Sequence, residues 1–200
     1  MARYRTNRIL PVILTIVIIV IAIAGLVAFA RILFFSDSSD TATQVDTSQQ
    51  QLLDTSAGNA VSMTVRGAIV AQENFRSYQI VISPTERTIK TFSGYLGTVI
   101  EQQTLTNNVA AYDQFVHALD KANMVKGAPF TGEQNDVLGI CATGKLYEFS
   151  TLKNGDTVEM LWTSTCSGSP GSLQANSTQL SKLFLAQIPD GSRMISGLSL

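Results

Sequence analysis

The chain is poor in the residues that most often carry chemistry. Its 200 residues include one histidine, two cysteines and one tryptophan. It has no glycine-rich phosphate-binding loop, no His-Glu-X-X-His pair and no Cys-X-X-Cys spacing, so P-loop nucleotide sites, zinc peptidases of that type and dithiol redox motifs are excluded. We therefore assign no catalytic, cofactor-binding or metal-binding residue from the sequence, and we expect no cofactor.

The chain also lacks a basic cluster beyond its N-terminus. Residues 61–200 hold 10 basic and 11 acidic side chains, spread along the sequence. Proteins that bind nucleic acid usually neutralise its phosphates with a basic patch or stripe. A near-neutral domain without such a patch predicts no nucleic-acid partner.

One long apolar run stands near the start of the chain. Residues 9–30 contain no charged side chain over 22 positions. As a helix this run would extend about 33 Å, enough to cross the hydrocarbon layer of a bilayer. Apolar residues continue to Phe35 after a single arginine, Arg31. We therefore predict a single-pass transmembrane signal anchor over residues 9–35.

The charges around this run predict its orientation. Arg3, Arg5 and Arg8 make residues 1–8 a basic tail, and the positive-inside rule keeps such a tail in the cytoplasm. The bulk of the chain should then be extracytoplasmic, at the cell membrane. A signal peptide cleaved after Ala30 is the alternative, but the apolar region of a signal peptide is shorter than this run, which favours a retained anchor.

Residues 36–60 separate the anchor from the rest of the chain. They are rich in Ser, Thr, Asp and Gln and show no apolar periodicity, so burial cannot offset the loss of chain entropy. We predict a flexible polar linker over this stretch, in which Leu52 and Leu53 could begin a short helix. The extracytoplasmic domain then spans residues 61–200.

The first half of that domain has the pattern of β-strands. Apolar and polar residues alternate with a period of two in four segments joined by short turns. The segments are residues 61–69, 78–82, 88–93 and 98–105. In the third, Ile89 and Phe92 differ in parity, which indicates either a bulge or partial cover of both faces. Four successive strands of this kind predict an antiparallel β-meander.

Two later segments have the spacing of amphipathic helices. The apolar positions are Val109, Tyr112, Phe115, Val116, Leu119 and Ala122 in the first, and Leu180, Leu183, Phe184 and Ile188 in the second. Residues 106–108, and Asn176 or Ser177, offer N-caps. The first helix should cover the meander, because a sheet with one apolar face needs such a cover. The predicted fold class is α+β, and residues 193–200 fit a short edge strand or a frayed tail equally well.

A β-hairpin is predicted between these helices. Asn154-Gly155 is a two-residue turn signal flanked by alternating strands, residues 146–152 and 157–163. Counting outward from that turn sets Tyr147 opposite Trp162 and Phe149 opposite Met160. All four large side chains would then share one face of the hairpin.

The two cysteines flank this hairpin. Cys141 precedes it, Cys166 follows it, and both lie on the same side of the apolar run. Because disulfides persist outside the cytoplasm, we predict a Cys141–Cys166 bridge. In the loop-entropy model such a bridge stabilises the fold by about 3 kcal/mol.

Several segments together resemble uncharacterised single-pass envelope proteins of small-genome bacteria. The likeness covers the basic tail, the signal anchor and the C-terminal half. Its motifs are Cys141-Ala142-Thr143-Gly144, Leu161-Trp162-Thr163-Ser164-Thr165-Cys166-Ser167-Gly168 and Gln187-Ile188-Pro189-Asp190. The resemblance implies a membrane-anchored topology and a disulfide, and it carries no activity.

The sequence leaves three functions open. The absence of catalytic motifs favours non-enzymatic binding or scaffolding at the cell envelope, with a protein or a cell-wall component as ligand. The segment that ends at Cys166 also resembles the strand end that carries the nucleophile of sortases, which implies a cysteine transpeptidase with His117 and Arg193 as base and oxyanion partner. The third function is that of a subunit in a larger membrane or surface assembly. The oligomeric state is open.

Overall fold

The computed structural model describes residues 40–200, with side chains from residue 47 onward. Within this range the fold is α+β, with six β-strands and four α-helices. The strands are β1 (Asn59–Arg66), β2 (Arg76–Ile82), β3 (Glu86–Ser93), β4 (Thr98–Thr106), β5 (Leu146–Lys153) and β6 (Asp156–Ser164). The helices are α1 (Asp40–Leu53), α2 (Val109–Lys121), α3 (Ser177–Leu185) and α4 (Gly191–Ser196).

All six strands form one antiparallel sheet. Its order is β4-β3-β2-β1-β5-β6, so the first four strands are the predicted meander. Helix α2 follows β4 at one edge, and the chain then returns to pair β5 with the free side of β1. The hairpin of β5 and β6 therefore extends the meander on its other side, which confirms both predictions.

The core lies on one face of the sheet, beneath the helices. Alternate residues of β1 and β2 are buried there: Val61, Met63, Val65, Tyr78, Ile80 and Ile82. Helix α2 contributes most of the face predicted for it: Tyr112, Phe115, Val116 and Leu119 are buried, whereas Val109 in the first turn is exposed. Helix α3 adds Leu180 and Phe184. Burial raises the pKa of Tyr78 and of Tyr112, since an ionised phenol would lose its hydration there. These side chains join the helices and the sheet in one core.

Both covering helices begin at asparagine caps. The Oδ1 atom of Asn108 accepts a hydrogen bond from the backbone N–H of Ala111 at 2.9 Å. The Oδ1 atom of Asn176 accepts one from Gln179 at 3.0 Å. Each cap satisfies a backbone donor that has no partner within the first helical turn. The predicted helix starts are confirmed, with Asn176 rather than Ser177 as the second cap.

Most of the described part of the expected linker is helical, and its last two residues, Asn59 and Ala60, already belong to β1. Helix α1 spans Asp40–Leu53, and Leu52 near its end is fully buried in the main core. The Nε2 atom of Gln49 donates a hydrogen bond to Oδ1 of Asp120 at 2.8 Å. A polar sequence therefore forms a helix here because tertiary packing of a few apolar side chains stabilises it.

The remaining N-terminal predictions lie outside the described residues. These are the basic tail, the signal anchor over 9–35 and the first residues of the linker. Across the part of the chain that the structure covers, no helix combines the length and the apolarity that a membrane span requires.

The register of the hairpin differs from the prediction. Phe149 pairs with Leu161, and Trp162 pairs with Glu148. The predicted pairing holds only beside the turn, because a bulge between Thr151 and Leu152 shifts the rest by one residue. A one-residue shift moves side chains to the other face of the sheet. Trp162 and Met160 therefore lie opposite the main core, in a second cluster that also contains Val137, Ile140 and Leu146.

Three smaller points concern the ends of elements. The parity change in the third strand reflects a bulge between Thr91 and Phe92, one of the two alternatives. Strand β1 ends at Arg66, so Ile69, which was assigned to the first strand, lies in a loop. The C-terminal segment forms the short helix α4, where an edge strand or a frayed tail was expected. Its Met194 is buried in the main core, which explains why this segment is ordered.

A candidate binding cleft at one end of the sheet

The predicted disulfide is present. Cys141 and Cys166 are bonded, with their Cα atoms 5.5 Å apart. The bond joins the segment before β5 to the segment after β6. Gly144 lies against it: a Cβ atom there would collide with Oγ1 of Thr165 and approach the Cys141 sulfur to 3.0 Å. The bend of the chain beside the disulfide therefore requires a glycine.

Two residues of the transpeptidase alternative, Cys166 and Arg193, are widely separated. The Cys166 sulfur is bonded to Cys141, and His117 is exposed on α2. Arg193 forms an ion pair with Glu101 of β4, at 3.7 Å. Strand β4 and the end of β6 lie at opposite edges of the sheet, about 24 Å apart over five strand spacings. Among the described residues no hydrogen bond or ion pair joins these three side chains.

An apolar cleft lies at the end of the sheet where β1 ends and β5 begins. Three loops form it: residues 67–75 between β1 and β2, residues 94–97 between β3 and β4, and residues 137–141 before β5. The space in it that the centre of a water molecule can occupy is about 50 Å³, and the total empty volume, which includes open solvent, is about 380 Å³. The lining is mainly apolar and includes Ile69, Phe75, Tyr95, Val137, Leu138, Ile140 and Leu146.

Tyr95 ties the first two loops together. Its hydroxyl donates a hydrogen bond to the carbonyl oxygen of Val70 at 2.7 Å and accepts one from the Val70 N–H at 3.1 Å. Its ring stacks on Phe75 with the ring centres 4.2 Å apart. Its backbone N–H donates to Oε1 of Gln72 at 3.0 Å. The side chains of these loops are therefore held in place before any ligand binds.

The third loop is fixed by the disulfide and by one backbone contact. The N–H of Ile69 donates to the carbonyl oxygen of Ala142 at 2.9 Å. Ala142 follows Cys141, which is itself part of the cleft wall. The disulfide thus anchors the segment that connects the third loop to the first. A cleft whose walls are tied in this way loses little chain entropy on binding.

The rim of the cleft is apolar and open to solvent. Among the residues that line the cleft, Leu138 is 72% exposed and Ile69 and Tyr95 are each about half exposed. Their neighbours in the chain, Leu96 and Val70, are 91% and 43% exposed. Scattered surface apolar residues are common, but a contiguous apolar patch marks an interaction surface. The sequence interpretation missed this rim. The one available signal was a leucine placed between Gly94 and Gly97, in a turn where polar residues are usual.

Little uncompensated charge faces the cleft. Arg66 contributes to the lining, and its guanidinium group pairs with the carboxylate of Glu148 on the neighbouring strand. In residues 47–200 no group of three or more His, Cys, Asp or Glu side chains is placed to hold a metal ion. The cleft is therefore suited to apolar contacts rather than to ion binding or acid–base chemistry.

No protein-family model matches the chain, and the search of curated proteins finds no significant match. An activity can therefore be inferred for this chain only from its own residues.

Proposed function

We propose that this protein is a membrane-anchored binding protein of the cell envelope, whose extracytoplasmic domain holds apolar side chains of a polypeptide partner in the cleft. The single observation that carries the proposal is the rigid apolar cleft with its exposed rim. Leu138 lines the cleft, and Leu96 follows the lining residue Tyr95 on a different loop, so both exposed side chains lie close enough in the chain to the cleft wall to contact a partner seated there.

Two features support the extracytoplasmic placement. Disulfides form and persist in oxidising compartments, and the bond between Cys141 and Cys166 uses both cysteines of the chain. The 22-residue uncharged run with arginines before it favours an anchor with its N-terminus inside. The resemblance to single-pass envelope proteins agrees with the same topology.

The shape of the site favours a polypeptide over a small molecule. The apolar surface continues from the cleft onto the exposed rim, so a ligand that filled only the cleft would leave the rim in water. A polypeptide can place one apolar side chain in the cleft and cover the rim with its neighbours. Interfaces of this kind derive most of their affinity from a few such buried anchors.

The two other functions require different observations. A cysteine transpeptidase needs a free Cys166 thiolate near a base, whereas the sulfur is bonded to Cys141. A role as an assembly subunit is a special case of the proposal, in which the polypeptide partner is itself a membrane protein. The partner recovered in the experiment below distinguishes that case.

Photo-cross-linking from the rim tests the proposal. A photoreactive amino acid replaces Leu96 in the full-length protein, in membranes of its own host. The matched control replaces Val158 of β6, which is 54% exposed at the opposite end of the sheet. We expect a discrete cross-linked polypeptide from position 96 and none from position 158. The proposal fails if position 96 yields no discrete product, or if both positions give the same one.

A second substitution separates binding in the cleft from general proximity. Leu138→Asp is added to the protein that carries the photoreactive group at position 96. It places a charge on the apolar rim, so the yield should fall about tenfold, because burying an unpaired carboxylate is costly. Far-UV circular dichroism of the purified variant reports that it has folded. An unchanged yield in the folded variant would contradict the assignment of the cleft.

A further inference from the structure

Strand β4 is an open edge of the sheet. It is nine residues long, and each of its residues is exposed or half-buried. It pairs with β3 on one side, and on the other side no strand of residues 40–200 pairs with it. An edge strand of this kind presents unpaired N–H and C=O groups that another strand can satisfy.

The usual protection of an edge strand is weak here. Soluble proteins block such edges with lysine, proline, short strands or a covering segment. Strand β4 has no lysine, arginine or proline, and Glu101 is its only charged residue. Its Val99 and Ile100 are about half exposed. The bulge opposite Thr91 and Phe92 interrupts the strand near its start and leaves residues 101–106 regular.

We propose that β4 pairs antiparallel with β4 of a second copy of this chain, across a two-fold axis at Gln102 or Gln103. The two six-stranded sheets then form one continuous sheet of two protomers. This pairing goes beyond the proposed function, since it uses an edge that is separate from the cleft. It assigns the chain a self-association surface.

The sequence of the strand favours a second copy as the occupant. With the axis at Gln102, the Glu101 carboxylate lies opposite Gln103 of the other copy. With the axis at Gln103, it lies opposite Leu105. In neither register does Glu101 face itself, so pairing brings no like charges into direct opposition. The residue at the axis is a glutamine in both cases, and its amide can both donate and accept hydrogen bonds.

Cysteine cross-linking in membranes tests the pairing. The full-length variants Gln102→Cys and Gln103→Cys each add one free thiol, because both native cysteines are bonded to each other. Residues at the axis have Cβ atoms about 4.5–5.5 Å apart, close enough for a mild oxidant or a short thiol cross-linker to join them. The matched control is Val158→Cys, a half-exposed position on the other edge strand.

We expect a covalent homodimer from at least one glutamine variant. Its yield should exceed that of Val158→Cys about tenfold, since pairing holds the two thiols at a high effective concentration. Equal yields at the two edges would indicate random collision and overturn the proposal. The proposal is also wrong if neither glutamine variant cross-links, or if the new thiol cross-links to a different protein.

A charge substitution provides the second test. Thr104→Lys, added to the variant that cross-links, places a lysine on the open edge and should reduce the dimer yield about tenfold, since a charged side chain on an edge strand, lysine above all, blocks the addition of another strand. Val158→Lys in the same background should leave the yield unchanged. A cooperative denaturation transition, followed by the fluorescence of Trp162, shows that each variant is folded. A yield that survives Thr104→Lys would contradict strand pairing. Because neither substitution touches the cleft, cross-linking from Leu96 reports separately on the proposed function.

Discussion

The two edge strands of the sheet, β4 and β6, differ in what lies along their outer sides. The carbonyl oxygen of Trp162 in β6 accepts a hydrogen bond from the N–H of Leu173 at 3.0 Å. The N–H of Trp162 donates to Oγ of Ser172 at 3.2 Å. A segment of the same chain thus satisfies the outer N–H and C=O groups of Trp162, near the end of β6. No described segment does so along β4.

The segment that covers β6 reaches it because of one glycine. Gly171 has a φ of +78°, and a Cβ atom there would collide with the carbonyl oxygen of Trp162. Only glycine accepts both that backbone conformation and that proximity at low cost. The uncovered start of β6 instead carries Asp156 and Glu159, which discourage strand addition. One edge is therefore closed by packing and by charge, whereas the other is closed by neither.

Removing the disulfide should change the covered edge, β6, more than any other substitution. The double variant Cys141→Ser/Cys166→Ser releases the segment that follows β6 and should lower the free energy of unfolding by about 3 kcal/mol. Chemical denaturation of the full-length protein measures this through the fluorescence of Trp162, the single tryptophan, which is 3% exposed beside that segment. An unfolding midpoint equal to that of the unsubstituted protein would contradict the structural role of the bond.

Gly171→Ala should have the next largest effect. The added Cβ combines a strained backbone conformation with a collision against Trp162, and we expect a loss of about 2–3 kcal/mol. Gly168→Ala is the matched control, because Gly168 has a φ of +91° and nothing within 4 Å of the added atom. Gly168→Ala should lose only the free energy of unfolding that the strained backbone conformation costs, measured by the same denaturation. Equal losses would show that the close approach to β6 is unimportant.

Ser172→Ala tests a single hydrogen bond between β6 and the segment that covers it. It removes the acceptor for the buried N–H of Trp162, which should cost about 1–2 kcal/mol. Ser167→Ala, at an exposed serine of the same segment, should change stability by less than about 0.5 kcal/mol. The difference between the two losses of unfolding free energy measures what the Ser172–Trp162 hydrogen bond contributes. Equal losses would mean that this bond is dispensable.

The smallest effect on stability is expected at β4. Thr104→Lys replaces an exposed residue on the uncovered edge, so the free energy of unfolding should change by less than about 1 kcal/mol. The same substitution is expected to suppress cross-linking between copies. A large loss of stability would show that the β4 edge has a structural role within the protomer.

Much of the fold could be predicted because its signals are local. The alternation in β1 and β2, the helical spacing of α2 and the cap at Asn108 each depend on neighbouring residues, and all agree with the structure. The disulfide was predictable as well, since two cysteines allow one pairing. Local signals do not determine the exact pairing of β5 with β6. The bulge that shifts Trp162 to the other face leaves no mark in the apolar pattern.

The candidate site was not predictable because three distant loops form it. Ile69, Tyr95 and Leu138 come together only after the sheet has brought their loops to one end. In the sequence Ile69 appeared to continue the first strand, and Leu138 was one apolar residue in a loop. Helix α1 was missed for a related reason, since the buried position of Leu52 depends on the core that it joins.

The location of the cleft is tested most directly by labelling a single thiol in intact cells. In Leu96→Cys the new cysteine replaces a side chain that is 91% exposed, while the two native cysteines are bonded to each other. A maleimide that cannot cross membranes should label this variant in intact cells, and should label Ala2→Cys only after the membrane is permeabilised. If Leu96→Cys is labelled only after permeabilisation, the domain lies inside the cell and the proposed envelope function is wrong.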